Sequence, residues 1–167
     1  MAEEKTVFEQ TLKHKGFFGY SDLYTFCYNW FKNEGYSNIA EEEYTEKVSG
    51  SSKEILIKWK VKKKVTDYYQ YVLDVKWHIL GMSEVEVEEN GKKIKTNKGE
   101  VKIVTKAIVK RDYEETWDKS PFYKTLRGIY DKYIMRTTAE EYEDTLTAKA
   151  QSFVEDTKAF LNLEGKR

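Results

Sequence analysis

Cysteine occurs once in these 167 residues, at Cys27, and proline once, at Pro121. A lone cysteine excludes an intramolecular disulfide and a cysteine-rich zinc site. Histidine occurs only at His14 and His78, with no HExxH spacing around either, so the sequence offers no metal-ligand set. Net charge is missing too, because 29 Lys and Arg balance 29 Asp and Glu. The chain as a whole is therefore drawn to neither nucleic acid nor an acidic membrane, and such binding would need a local patch. No run approaches the ~18 apolar residues of a membrane-spanning helix. The first residues, Met1 to Lys5, form no apolar signal region, so a cytoplasmic protein is the expectation. No catalytic, nucleotide-binding or cofactor motif stands out. The reading is of a protein with no cofactor, leaning away from catalysis.

What the chain has in quantity is aromatic rings and charge. Aromatics make up 15% of it, with 13 Tyr, 8 Phe and 4 Trp, and charged residues make up 35%. That composition is too ring-rich for disorder. It implies a core or a pocket built from large side chains under a well-solvated surface.

The hydrophobic period changes near residue 120. From Lys53 to Arg111 apolar residues alternate with polar ones; beyond it they recur every three or four residues. This predicts one α+β domain, an antiparallel sheet of about six strands packed on a long C-terminal helix. Lys5 to His14 reads as a first strand ended by Gly16. Ser21 to Glu34 reads as a helix capped by Ser21, with Leu23, Phe26, Cys27, Trp30 and Phe31 in one stripe and Gly35–Tyr36 closing it. Ile39 to Val48 is a weaker strand. Lys53 to Val65 turns Ile55, Ile57, Trp59 and Val61 one way and Lys58, Lys60 and Lys62 the other.

Tyr68 to Leu80 places Tyr69, Tyr71, Leu73, Val75, Trp77 and Ile79 on one face. Gly81 breaks that run, and Asn90–Gly91 signals a tight hairpin with Glu and Lys facing each other across it. Asn97–Lys98–Gly99 reads as a further turn before a last strand from Glu100 to Asp112. Ser120–Pro121 opens a helix to Met135, and Thr138 with Glu141 forms a capping box for a last helix to Leu163.

The order strand, helix, antiparallel strands and long C-terminal helix resembles the helix-grip fold of START-like and polyketide-cyclase-like proteins. That resemblance rests on element order alone. It implies a sheet wrapped around the last helix, enclosing a hydrophobic ligand cavity, and it transfers no functional residue. The stretches Glu88–Glu89–Asn90–Gly91–Lys92 and Arg127–Gly128–Ile129–Tyr130 are similar to small archaeal proteins without an assigned function, a similarity that implies no activity.

Two sets of residues are candidates for binding, with non-catalytic small-molecule binding the leading reading and a protein-interaction or structural subunit using helix 121–135 the alternative. Trp59, Tyr69, Tyr71, Trp77 and Phe153 could line a cavity for a hydrophobic or amphipathic small molecule between sheet and last helix. Rings this large consume space, so a filled core is the favoured reading of the same residues. Phe122, Leu126, Arg127 and Tyr130 belong to an amphipathic helix that could dock on a protein partner or a membrane surface. Gly128 weakens a free-standing helix and favours packing on its own domain. Cys27 reads as a buried small hydrophobe and His78 as solvent-facing, with Asp74 too distant along the strand to be its partner. The lysines at 58, 60 and 62 read as a solvated strand face. No nucleic-acid partner is expected, because Trp59 points away from them.

Overall fold

In a computed structural model, residues 3–111, 121–129 and 136–165 are described, and they form an α+β structure with one open antiparallel sheet. The strands are β1 (Glu3–Phe18), β2 (Asn38–Ser49), β3 (Ser52–Lys64), β4 (Tyr69–Glu89) and β5 (Lys92–Arg111). Their spatial order is β1-β5-β4-β3-β2. Helix α1 (Tyr20–Asn33) follows β1, and helices α2 (Pro121–Ile129) and α3 (Arg136–Glu164) follow β5.

The sheet has five strands, not six. Gly81 and Asn97–Gly99 do not end strands; β4 and β5 run through them and continue to the Asn90–Gly91 turn. Gly81, at φ +59, lies in a shift of register between Leu80 and Ser83, so it bends the ladder instead of closing it. Gly99 sits opposite that bend. A Cβ on it would meet the Leu80 carbonyl and Met82 Cα, each at 3.0 Å. At the hairpin, Asn90 and Gly91 both take positive φ, 52° and 76°, as a type I′ turn requires. Glu86 pairs with Lys95 and Glu88 with Lys93 beyond it.

Parity holds along the central strands. Ile57, Trp59, Leu73, Val75 and Trp77 are all buried. Register sets them side by side: Ile57 opposite Trp77, Trp59 opposite Val75, and Val61 opposite Leu73. The same face continues into β5 through Val101, Ile103, Ala107 and Val109. Ile108, on the other face of β5, is buried as well.

The helix ends differ from the expected ones. α1 begins at Tyr20 with Gly19 as its cap residue, so Ser21 is not the cap. The Tyr20 amide donates instead to Asn97 Oδ1 of β5 at 3.0 Å, which satisfies one N-terminal group from across the fold. At the other end Tyr36 N–H donates to the Phe31 carbonyl, 3.0 Å, and buries its ring against Phe31, as the Gly35–Tyr36 pair predicts. α3 begins at Arg136, so Thr138 lies inside its first turn and not at its cap. β1 runs through Gly16 to Phe18. Ser120 and Met135 lie outside the described residues.

Candidate functional site

The five rings proposed from sequence as ligand-lining residues are all buried in the core, but in two groups, Trp59 and Trp77 reaching Phe153 through Phe31, and Tyr69 and Tyr71 meeting Tyr142. Trp59 and Trp77 have ring centroids 5.1 Å apart. Phe153 of α3 sits 4.5 Å from Phe31 and 5.1 Å from Trp30, both on α1. Tyr69 meets Tyr142 of α3 at 4.8 Å. The Tyr71 hydroxyl donates to the Tyr142 carbonyl at 2.8 Å. Burial pushes that phenol up to about 12. These are the contacts of a packed aromatic core. Two polar atoms within it, Trp77 Nε1 and Thr105 Oγ1, have no hydrogen-bond partner among the described residues.

Cys27 is fully buried in the same core, 3.9 Å from Thr157 Oγ1 of α3. Desolvation raises its thiol to about 12, so it carries no nucleophilic character near neutral pH. His78 has a partner that sequence reasoning missed. Its Nε2 lies 2.8 Å from Glu54 Oε1, on the neighbouring strand. His14 Nε2 lies 3.0 Å from the Phe17 carbonyl. Among the described residues no group of three or more His, Cys, Asp and Glu could hold a metal ion.

A cluster of tyrosines at the edge between α1 and β2 also escaped the sequence reading. The hydroxyls of Tyr20 and Tyr44 are 2.9 Å apart. Glu41 accepts from the Tyr24 hydroxyl at 2.9 Å and from Trp59 Nε1 at 3.3 Å. Burial, then the hydrogen bond to Glu41, lifts the Tyr24 phenol to about 12. The one local signal was the spacing of Tyr20 and Tyr24 on one helical face; Glu41 and Tyr44 come from another element.

α2 departs most from expectation. Its apolar stripe was expected to pack on the rest of the domain, yet Phe122 is 68% exposed, Leu126 37% and Ile129 50%. Lys124 beside them is exposed too. The helix is held locally by Thr125, whose hydroxyl donates to the Pro121 carbonyl at 3.0 Å. The sequence of Pro121–Ile129 contains Lys124 and Arg127 and no acid. The side chains of Arg127 and Gly128's surroundings, and Tyr130, Lys132 and Tyr133 altogether, lie outside the described residues. Among the described residues no helix is long and apolar enough to cross a membrane. Comparison with known protein families, curated proteins and solved structures finds no match.

Proposed function

We propose that this chain is a non-catalytic interaction module that docks through α2 on an anionic surface, and that a lipid bilayer is the surface its chemistry fits. One observation carries the reading: Phe122, Leu126 and Ile129 stand exposed along one side of a helix whose only charged residues are basic. Apolar side chains at that spacing enter the boundary between headgroups and acyl chains, while lysine and arginine meet the headgroups. Each basic residue near an anionic leaflet contributes about 1 kcal/mol. A helix of 9 residues offers few anchors, so the binding is reversible and depends on lipid charge.

The test is vesicle flotation with anionic and with neutral lipid, comparing the parent protein with a Phe122→Ser, Leu126→Ser double variant. The parent should float with anionic vesicles only, and the folded double variant should stay behind. A parent protein that ignores anionic vesicles overturns the bilayer as the occupant of α2.

A second reading keeps the helix-grip resemblance and puts a hydrophobic or amphipathic small molecule between the sheet and α3. Its support is the pair of buried polar atoms, Trp77 Nε1 and Thr105 Oγ1, which lack partners among the described residues. Buried donors and acceptors left this way are costly unless something else satisfies them. Against it stands the ring-on-ring packing of Trp77, Trp59, Phe31 and Phe153, which a ligand would have to part.

A further inference from the structure

The face of the sheet turned away from α1 and α3 carries a groove of about 280 Å³. Among the described residues that line it, six point outward in two cross-strand rows of three, over the backbone of Ile57 and Trp77. One row is Leu56, His78 and Lys102; the next is Lys58, Lys76 and Val104. Glu43 lies at its rim and is engaged by Lys58 at 3.2 Å. His78 is held by Glu54. Lys76 and Lys102 have no ion pair among the described residues.

The charge pattern works against the bare sheet. Lys58 stands directly opposite Lys76, and Lys102 directly opposite Lys13. Like charges in that position repel and destabilise a strand pair. A protein of zero net charge has thus gathered three ammonium groups, of Lys58, Lys76 and Lys102, around one concavity, with Glu43 taken by Lys58 and Glu54 by His78. Leu56 and Val104, both half-buried, supply apolar walls at opposite corners. The tryptophans of these strands, Trp59 and Trp77, point inward. The rows therefore lack the outward rings on which single-stranded nucleic acid stacks. The volume lies below the usual range for drug-sized ligands, about 300–1,000 Å³, and so fits a small molecule with one charged group.

We propose that this groove binds a small amphipathic anion, its charged group between Lys76 and Lys102 and its apolar body against Leu56 and Val104. No described residue of α2 lines the site. Binding would relieve the lysine repulsion, so the anion should be held by charge and shape together. A neutral molecule of the same body should bind far more weakly.

The experiment uses 8-anilinonaphthalene-1-sulfonate as the anion and N-phenyl-1-naphthylamine as its uncharged counterpart, titrated into the full chain and followed by fluorescence. Three proteins are compared: the parent, Lys76→Glu/Lys102→Glu, and Phe122→Ser/Leu126→Ser. The parent should bind the sulfonate saturably, and about tenfold or more tighter than the uncharged probe. The lysine double variant should lose about tenfold or more of the sulfonate affinity, while the α2 variant keeps it. Loss of fold is a separate readout. Each introduced carboxylate would face a lysine, Lys58 or Lys13, so the thermal midpoint should hold or rise. Absence of saturable sulfonate binding overturns the proposal. So does equal binding by the lysine double variant, equal affinity for the two probes, or loss of sulfonate binding in the α2 variant alone.

Discussion

Two amphipathic helices follow the sheet, and they treat their apolar stripes in opposite ways. Along α3, Leu146, Ala150, Phe153, Val154, Thr157 and Leu161 are all buried, whereas on α2 Phe122, Leu126 and Ile129 are exposed to 68%, 37% and 50%. Both stripes have the spacing that predicts burial. The difference lies in what each helix meets. α3 is 29 residues long, and the sheet and α1 offer it a surface of rings. Phe160 stacks on Phe26 with centroids 4.7 Å apart, and Trp30 donates to Asp156 at 2.9 Å. Lys149 pairs with Glu34 at 3.0 Å, and Lys5 of β1 with Glu143 at 3.0 Å. α2 has 9 described residues, and its Phe122, Leu126 and Ile129 keep 37–68% of their surface. Amphipathicity states that a stripe will be covered; it does not state by what.

The contrast can be broken most strongly at Phe153. Phe153→Ala leaves a cavity between Trp30, Phe31 and the sheet, and should cost about 3–5 kcal/mol. Urea unfolding checks this, and a small loss would mean α3 is not the cover of the core. Alkali should act on the same joint. The Tyr71 phenol, pushed up to about 12 in the folded protein, has an ordinary value of about 10 once unfolded. Its contribution is fully present below about pH 10 and is lost as pH rises through about 12. The urea midpoint should therefore fall across that window, and less steeply in Tyr71→Phe.

Cys27 reports on α3 more gently. Because its thiol is buried against Thr157, a thiol reagent near neutral pH should label it only through opening of the α1–α3 contact, far more slowly than in urea. Rapid labelling of the native protein would show that contact to be loose. The smallest effect belongs to α2. Phe122→Ser with Leu126→Ser should change unfolding stability by no more than about 0.5 kcal/mol, as expected for exposed positions. A loss several times larger would place α2 on the same footing as α3.

Much of the fold was legible where one short-range rule governed the outcome. Alternation in Lys53 to Leu80 fixed which residues face inward, and Asn90–Gly91 fixed the hairpin, because parity and turn chemistry are local. The strand count was not legible. Gly81 and Gly99 read as breaks, since a glycine in a strand pattern can mark either a turn or a bulge, and only the partner strand decides. Asn97 looked like a turn residue, but its side chain serves the start of α1, 77 positions away. The binding surfaces were legible as residue types and not as surfaces. Trp59, Trp77 and Phe153 announce a ring-rich interior, yet whether it is filled depends on how α1 and α3 meet over it. Lys76 and Lys102 became neighbours only through the β4–β5 register.

The α2 stripe should be open in the free protein and covered on an anionic bilayer. Leu126→Cys tests both at once, because Cys27 is buried with its thiol raised to about 12 and leaves the new cysteine as the reactive one. An environment-sensitive naphthalene dye attached there should emit as a water-exposed label in the free protein. It should shift to the blue on adding anionic vesicles and stay unchanged with neutral ones. A label already blue-shifted in the free protein, or one that ignores anionic vesicles, would contradict the account.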